Sequence, residues 1–252
     1  MPTYALLGYP LTHSFSQRYF TDKFARMGLS DTHRYINLEL PTVAAFPGRR
    51  AVIPDLRGCN VTIPHKQAVL DLLDEVDPVA ARIGAVNTIR ISDSKTTGFN
   101  TDYLGFRDDL LAQLKAQDRP TDLVGSTALI LGTGGASLAV REALQDLGIT
   151  PQWVSRSAGP EKITYADIDA RVLANCTLII NTTPLGTFPN VEQAPPLPYH
   201  LLRADHFCYD LVYNPSETRF MQLARSQGAG AANGLGMLHL QAEASWKIWN
   251  EE

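Results

Sequence analysis

Hydrophobic positions along this chain fall into short apolar runs that alternate with stretches of helical spacing. Apolar runs predict β-strands at residues 4–8, 32–40, 127–131, 152–154, 178–180 and 206–212, and residues 80–90 pass from small side chains into a further strand. Helical spacing of apolar residues predicts helices at residues 18–28, 67–74, 103–116, 138–147, 217–228 and 237–250. Strands that alternate with helices in this way indicate an α/β fold with parallel or mixed sheets.

A glycine-rich turn directly follows the apolar run at residues 127–131. The turn reads Gly132-Thr133-Gly134-Gly135-Ala136-Ser137 and leads into a predicted helix. Between a strand and a helix, this pattern is typical of dinucleotide binding, because glycine lets the backbone approach a pyrophosphate and the helix start offers free N–H groups. Ser137 occupies the third glycine position and is small enough for close packing. The predicted nucleotide contacts are Gly132, Gly134, Gly135 and Ala136.

The end of the next strand indicates which dinucleotide binds. An NAD site usually has an acidic residue about 20 positions after the glycines, where it binds the ribose 2′-hydroxyl. This chain instead has Ser155-Arg156-Ser157. A guanidinium between two hydroxyls suits a 2′-phosphate. The sequence therefore predicts NADP, in preference to a solvent-exposed arginine without a ligand.

The third strand of the first half ends in a polar segment. Residues 60–66 read Asn-Val-Thr-Ile-Pro-His-Lys. Pro64 cannot continue a strand ladder, so the neighbouring polar side chains should lie at the mouth of the strand. Lys66 is then either placed for chemistry or exposed on a surface turn, and His65 is interpreted as structural.

Other polar residues each allow a structural and a functional interpretation. Ser14 and Ser16 flank a helix start, where serine is a good N-cap, but two hydroxyls also suit a polyol or carboxylate ligand. Asn87 interrupts an apolar strand, and its amide needs partners from the protein or from a ligand. Asp102 is either an N-cap or a site residue, and Gln241 either a helix-edge residue or a ligand contact.

Composition changes this picture mainly by exclusion. The 252 residues carry a net charge of −4 and are 44% hydrophobic and 19% charged, which is ordinary for a globular chain. The acidic balance argues against a nucleic-acid partner. Three widely spaced cysteines favour buried thiols in a cytoplasmic protein, and no histidine spacing suggests a metal. A signal peptide and a membrane-spanning run are not expected either.

Seven motifs occur in the same order as in one enzyme family. They are His13-Ser14-Phe15-Ser16, residues 60–66, Gly84-Ala85-Val86-Asn87-Thr88, Asn100-Thr101-Asp102, residues 132–137, residues 181–186, and Gly234-Leu235-Gly236-Met237 with Gln241. On these motifs, nearly end to end, the chain resembles the NADP-dependent shikimate dehydrogenases (shikimate 5-dehydrogenases). The resemblance implies reversible reduction of 3-dehydroshikimate to shikimate by NADPH, in the pathway to chorismate and the aromatic amino acids.

The resemblance also implies roles for single residues. Lys66 and Asp102 correspond to the family's catalytic pair. Ser14 and Ser16 are the implied contacts of the substrate carboxylate. The implied contacts of its hydroxyl groups are Thr62, Asn87 and Gln241, with Tyr213 close by. The implied cofactor contacts are Gly132, Gly134, Gly135, Ala136, Ser155, Arg156, Ser157, Thr182, Thr183 and Met237. No metal is expected.

Two α/β domains with a substrate cleft between them follow from the same resemblance. Residues 1–102 form an N-terminal α/β sandwich that binds the substrate and is rejoined by a C-terminal helix at residues 237–252. Residues 103–236 form the NADP-binding Rossmann domain. Hinge closure is expected, in a cytoplasmic monomer or homodimer.

The chain departs from the family pattern in three places. Gln17 replaces a usual proline, and Tyr103 replaces a usual glycine. A second clamp arginine is absent after residue 157, where Lys162 is a possible substitute. Two alternative functions stay open: a catabolic quinate/shikimate dehydrogenase that uses NAD or NADP, and a non-catalytic sensor of a nucleotide or cyclitol. The presence of both Lys66 and Asp102 favours an enzyme.

Overall fold

Two groups of β-strands form separate six-stranded sheets in the computed structural model, which describes residues 1–11 and 15–251. The sheets belong to two units of the chain. The first comprises Met1–Thr101 with Ala242–Glu252, and the second comprises Asp102–Gln241. Asp102 and residues 237–241 thus fall in the second unit, whereas the sequence-based division placed them in the first.

The first unit contains a mixed sheet. Its strands are β1 (Thr3–Gly8), β2 (Arg34–Glu39), β3 (Leu56–Val61), β4 (Glu75–Val76), β5 (Thr88–Ser92) and β6 (Lys95–Phe99), and its helices are α1 (Phe15–Arg26), α2 (Phe46–Ala51) and α3 (Pro78–Ile83). The strand order is β2-β1-β3-β5-β6-β4. Strand β1 pairs in parallel with β2 and β3, whereas β3, β5 and β6 pair antiparallel. The mixed sheet confirms the α/β class predicted for this half.

Strand β1 shows how the first sheet is covered on both faces. Successive side chains of a strand point to opposite faces, and here both sets are buried. Ala5 and Leu7 join the apolar cluster of one face, while Tyr4 and Leu6 join an aromatic cluster on the other. Burial on both faces explains why β1 reads as a continuous apolar run instead of an alternating one.

The last helix, α8 (Leu235–Asn250), completes the aromatic cluster of the first unit through Trp249. The indole Nε1 of Trp249 donates a hydrogen bond to the Ile89 carbonyl at 2.9 Å. A Cβ added to Gly58 would lie 2.3 Å from this indole nitrogen. Residue 58 is therefore glycine because the ring occupies the space of a side chain.

The second unit contains a fully parallel sheet. Its other elements are α4 (Thr101–Ala116), β7 (Thr127–Leu131), α5 (Gly135–Asp146), β8 (Thr150–Ser155), β9 (Lys162–Thr164), α6 (Ala170–Asn175), β10 (Leu178–Asn181), β11 (Phe207–Asp210), α7 (Arg219–Arg225) and β12 (Gly230–Asn233). The strand order is β12-β11-β10-β7-β8-β9, and all neighbouring strands are parallel. The chain adds strands outwards from β7 to β9 on one side and from β10 to β12 on the other, so the order of strands along the sheet reverses between β7 and β10. This is the doubly wound Rossmann topology, whose ligands bind at the carboxyl ends of the strands near the reversal.

One predicted helix does not form. Residues 67–74 make turns with a short 3₁₀ segment at Leu70–Leu72. The carboxylate of Asp74 accepts hydrogen bonds from the backbone N–H and the hydroxyl of Thr96, each at 2.7 Å. These bonds direct the chain into the pairing of β4 with β6, so the local helical pattern is overridden by a contact distant in sequence. Val69 is nevertheless fully buried, as the pattern indicates.

Two further local predictions are corrected. Asn87 lies just before β5 instead of inside it. Helix α4 begins at Thr101, so Asp102 lies in its first turn and is not the N-cap. The hairpin between β5 and β6 was not predicted; its turn residues Asp93 and Ser94 both have positive φ, of 47° and 67°, which suits a two-residue hairpin turn.

Candidate active site

The glycine turn after β7 begins with a residue that must be glycine. Gly132 has φ +102°, in the region that side chains rarely adopt. A Cβ at this position would lie 2.9 Å from the Thr183 methyl carbon and 3.0 Å from the Thr182 hydroxyl. The turn of β7 and the turn that follows β10 are therefore in direct contact at the carboxyl edge of the sheet.

Helix α5 starts with its N-terminal face open. Gly134 is the N-cap residue and provides no side-chain cap, and a Cβ added to Gly134 or Gly135 would meet nothing within 4 Å. The first backbone N–H groups of a helix lack partners within the helix and carry partial positive charge. The predicted third position also fits, because Ser137 is fully buried and its hydroxyl donates to the Gly134 carbonyl at 2.7 Å. The geometry matches a site for a phosphate group.

A pocket of about 630 Å³ extends along this edge of the second sheet. Its lining residues are Gly132, Thr133, Gly134, Val154, Ser155, Arg156, Ser157, Tyr165, Thr182, Thr183, Pro184, Leu185 and Pro196. The volume lies within the range of small-molecule and cofactor sites. Seven of the predicted cofactor residues therefore share one cavity: Gly132, Gly134, Ser155, Arg156, Ser157, Thr182 and Thr183.

The other three predicted cofactor residues lie elsewhere in the second unit. Gly135 and Ala136 form the first turn of α5 and do not line the pocket. Met237 is buried in α8, and its carbonyl would lie 2.7 Å from a Cβ at Gly105 of α4. The position of Met237 is therefore explained within the structure by packing between α4 and α8.

Sequence reasoning missed several pocket residues. Tyr165 and Pro196 line the cavity without any sequence signal, and Thr133, Pro184 and Leu185 line it as members of recognised motifs that were given no single-residue role. Lys162, the possible substitute for a second clamp arginine, does not line it. Tyr165 follows β9, whose last residue Thr164 pairs with Ser155 beside Arg156. The strand β9 was not predicted, so no sequence signal placed Tyr165 at this edge.

The first unit holds a buried network of hydroxyl and amide groups. The Tyr35 hydroxyl donates to Asn60 Oδ1 at 2.8 Å, and Asn60 Nδ2 donates to Ser245 Oγ at 2.9 Å. Ser245 Oγ lies 2.7 Å from the Thr88 hydroxyl. Ser16, at the start of α1, bonds to the Tyr35 hydroxyl, whose pKa is raised well above its usual value by burial. The network thus links α1, the sheet and α8.

Asn87 fixes the start of helix α4. Its Oδ1 accepts a 2.6 Å hydrogen bond from the Thr101 backbone N–H, and its Nδ2 donates to the Thr101 hydroxyl at 3.0 Å. The Asn87 amide therefore supplies a cap, a role that the sequence had offered as one of two alternatives for Asp102. An amide nitrogen carries two N–H groups, and among residues 1–11 and 15–251 the Asn87 nitrogen donates only to Thr101.

The segment after β3 is held by backbone hydrogen bonds on both sides. Thr62 N–H donates to the Leu7 carbonyl at 2.9 Å, and the Lys66 carbonyl accepts from Val86 N–H at 2.7 Å. Both side chains are partly exposed. His65 is buried, with Nε2 2.6 Å from the Leu40 carbonyl, which agrees with its structural interpretation. The fold thus fixes the backbone on each side of the lysine.

The remaining predicted substrate residues are less grouped. Ser14 lies outside the residues that the structure describes. Gln241 is buried in α8, where its Nε2 donates to the Leu238 carbonyl at 2.8 Å. Tyr213 is 39% exposed after β11, and partial burial raises the pKa of its phenol. Lys66 belongs to the first unit and Asp102 to the second.

Taken by itself, the second unit is defined by these features as a Rossmann dinucleotide-binding domain. Among the residues described, no group of three or more histidine, cysteine, aspartate or glutamate side chains is arranged to hold a metal ion. No helix in the same residues is both long and apolar enough to cross a membrane. The chain has the scaffold of an enzyme that uses a nucleotide cofactor.

Comparison with known proteins gives the family. The sequence of residues 6–89 matches the family model of the shikimate dehydrogenase substrate binding domain. The shikimate dehydrogenase (NADP(+)) of Moorella thermoacetica is 39% identical over 264 residues, which span 97% of this chain and 86% of that protein. This chain therefore belongs to the shikimate dehydrogenase family.

Solved structures agree with this assignment over the whole chain. A shikimate dehydrogenase in complex with NADP+ superposes with a TM-score of 0.85 at 32% identity, covering 99% of this chain and 90% of that one. The shikimate 5-dehydrogenase of Thermus thermophilus, in complex with NADP(H) and shikimate, gives 0.82 at 34% identity, covering 99% and 94%. The predicted fold class, a substrate domain plus a Rossmann domain, is confirmed.

Proposed function

We propose that this chain is an NADP-dependent oxidoreductase that reversibly reduces 3-dehydroshikimate to shikimate. The observation that carries the proposal is the single cavity shared by the glycine turn, Arg156 and the Thr182–Thr183 turn, in a chain of the shikimate dehydrogenase family. The open start of α5 supports binding of the pyrophosphate, and Ser155, Arg156 and Ser157 support binding of the 2′-phosphate.

The cofactor supplies hydride to the substrate ketone in one direction and accepts it in the other. We assign proton transfer to Lys66, whose ammonium group stabilises the developing alkoxide of the substrate and donates a proton to it. Asp102 orients the lysine amine and shares the proton transfer. The backbone bonds that fix the segment around Lys66, and the Asn87 bonds that fix the start of α4 before Asp102, support these roles.

Substrate recognition is assigned to the polar groups that the resemblance implies. Ser14 and Ser16 bind the carboxylate, and Thr62, Asn87, Gln241 and Tyr213 bind or border the ring hydroxyls. For Asn87 the support is specific, because within the part of the chain that the structure describes one amide N–H is used by Thr101 and the other can donate to a substrate hydroxyl. The structural and functional interpretations of this residue are therefore compatible.

The function is tested by absorbance at the nicotinamide band. Shikimate and quinate are each assayed with NADP+ and with NAD+, and oxidation of shikimate with NADP+ should be the fastest of the four reactions. Faster oxidation of quinate would make the catabolic alternative correct, and no reaction with any pair would support a non-catalytic sensor. In Arg156→Ala, activity should fall more with NADP+ than with NAD+, and equal losses would contradict the 2′-phosphate role.

A cytoplasmic location and a monomeric or homodimeric state are part of the same proposal. They follow from the sequence-based expectation alone. Sedimentation velocity of the purified protein measures the oligomeric state directly.

A further inference from the structure

A buried carboxylate stands beside the cofactor pocket without a role in the proposed chemistry. Asp210 is the last residue of β11 and is 0% exposed. Its hydrogen-bond partners in the described chain are all neutral, and burial raises its pKa to about 6. An ionised carboxylate without a cation is costly to bury, so its retention at this position needs an explanation.

Three donors converge on Asp210. Its Oδ1 accepts from Asn181 Nδ2 at 2.9 Å and from Val212 N–H at 3.0 Å. Its Oδ2 accepts from the Thr218 hydroxyl at 2.6 Å. The donors come from β10, from the turn after β11 and from the N-cap of α7. One side chain thus holds three segments of the chain at the carboxyl edge of the second sheet.

Asn181 transmits the position of Asp210 to the pocket wall. Because the Asn181 amide nitrogen donates to Asp210, its oxygen faces the opposite way, towards Thr183. That oxygen accepts from Thr183 N–H at 3.0 Å and from the Thr183 hydroxyl at 2.6 Å. Both donors of Thr183 are therefore used inside the protein, and its methyl group faces Gly132. Thr183 itself lines the cofactor pocket.

The second segment held by Asp210 is tied to the same wall. Val212 N–H is fixed by the carboxylate, and Tyr213 and Asn214 follow it directly. The Asn214 carbonyl accepts from Phe188 N–H at 3.1 Å. The turn after β10 and the turn after β11 are therefore joined to each other as well as to Asp210.

We infer that Asp210, acting through Asn181, is a positioning residue that sets the Thr182–Leu185 wall of the cofactor pocket and so the fit of the pocket to NADP. Asp210 is fully buried and is not among the residues that line the pocket. Its carboxylate suits the position because it accepts from all three donors at once, whereas a shorter side chain leaves each of them unpaired in the interior.

The test compares Asp210→Ala with Asp210→Asn in the full-length protein. The amide of Asp210→Asn keeps an oxygen for Asn181 and Val212, while its nitrogen can donate to the Thr218 hydroxyl, so the wall should stay in place. Asp210→Ala should raise the Kd for NADP+ in calorimetric titration, and the KM for NADP+, by about tenfold or more, since small displacements of a site can cost up to about a hundredfold. Asp210→Asn should restore both values to within about threefold of wild type.

His206→Ala is the matched control. His206 is equally buried and directly precedes the same strand, where it bonds to Arg203 N–H at 2.9 Å and the Leu173 carbonyl at 3.0 Å. It should lower thermal stability while the Kd and KM for NADP+ stay at wild-type values. If Asp210→Ala changes the two constants no more than His206→Ala does, the positioning role is wrong. The positioning role is also wrong if Asp210→Asn does not restore the Kd and KM for NADP+.

A second variant keeps the inference testable if Asp210→Ala does not fold. Asn181→Leu removes the link to Thr183 and should raise the KM for NADP+ similarly, with the KM for shikimate unchanged; a lower kcat alone would contradict the inference. The inference rests on the proposed function, and the two fail differently. A wild-type protein that binds no NADP+ refutes the function, whereas wild-type binding with unaffected variants refutes only the role of Asp210.

Discussion

At the scale of single residues, the fold's own hydrogen bonds decide which polar atoms a ligand could still use. Asn87 holds Thr101 through its oxygen and one N–H, and among the described residues its amide nitrogen donates to no other group, which suits the substrate contact proposed for it. Thr183 is the opposite case, because both of its donors bond to Asn181 and its methyl group faces Gly132. Residue type alone does not distinguish these outcomes, since both residues are polar and lie at strand ends.

Lys66→Ala should lower kcat by about 10²–10⁴-fold, the usual contribution of general acid–base catalysis. The KM for shikimate should change little, because the assigned carboxylate and hydroxyl contacts come from other residues. Steady-state kinetics with shikimate and NADP+ measures both constants. Gln67→Ala, which changes the exposed neighbouring residue, should behave as wild type. A Lys66→Ala enzyme with wild-type turnover would remove the lysine from the mechanism.

The titration of Asp210 predicts an unusual pH dependence of stability. Its pKa is raised from 3.8 to about 6 by burial, so between these values the folded state binds more protons than the unfolded state. The contribution of this group to the free energy of unfolding is therefore largest below about pH 4 and falls by about 3 kcal/mol as the pH rises through about 6. Urea unfolding at acidic and neutral pH should show wild type losing this amount relative to Asp210→Asn. A difference between the two proteins that is independent of pH would contradict the assignment.

At the scale of elements, two glycines in the strand–turn–helix unit of β7 and α5 have different roles. Gly132 is required by the fold, because its φ is positive and a Cβ would contact both Thr182 and Thr183. Gly134 has φ −78°, which any residue adopts, and the space beside it is open. The protein's own packing therefore requires glycine at position 132 and not at position 134, where glycine suits the proposed pyrophosphate site.

Two alanine substitutions distinguish the role of Gly132 from that of Gly134. Gly134→Ala should leave the melting temperature unchanged and raise the Kd for NADP+ by about tenfold or more, because the new methyl group occupies the space beside the uncapped N–H groups. Gly132→Ala should instead lower the free energy of unfolding by about 1–3 kcal/mol through backbone strain. Calorimetric titration and thermal unfolding measure the two effects. Unchanged NADP+ affinity in Gly134→Ala would exclude this helix start as the pyrophosphate site.

Other elements show where local pattern is outweighed by distant contacts. The helix predicted at residues 67–74 is lost because Asp74 bonds to Thr96 and leads the chain into a strand. The strand β9 and the pocket residue Tyr165 were not predicted, since three residues carry too little periodicity to identify an element. By contrast, β7 was predicted with its observed bounds, because a strand buried on both faces is apolar throughout.

At the scale of the whole molecule, the chain returns at its C-terminus to complete the first unit. Trp249 packs against Tyr4 and Phe20, with ring centroids 4.8 and 5.2 Å apart, and bonds to the Ile89 carbonyl. Residues 242–249 thus close a core whose other members precede residue 102. The residues that line the cofactor pocket all lie in the second unit.

Trp249→Ala should therefore affect the two units unequally. The loss of a large buried side chain destabilises a core by about 3–5 kcal/mol, and this loss should fall on the first unit. Differential scanning calorimetry should show a lower midpoint temperature for the unfolding transition of the first unit. The Kd for NADP+ at low temperature should stay within about twofold of wild type. Loss of NADP+ binding under conditions where the variant remains folded would contradict the independence of the pocket.

The sequence by itself determined the class of fold, the glycine turn, the arginine beside it and the family, because each depends on residue types at short, fixed spacing. Only the tertiary structure decided that Asn87 caps α4, that Asp210 and Asn181 hold the pocket wall, and that Tyr165 instead of Lys162 lines the pocket. These facts depend on which strands lie side by side. Asn181 and Asp210 are neighbours because β10 pairs with β11, and hydrogen bonds between residues distant in sequence leave no periodic signal along the chain.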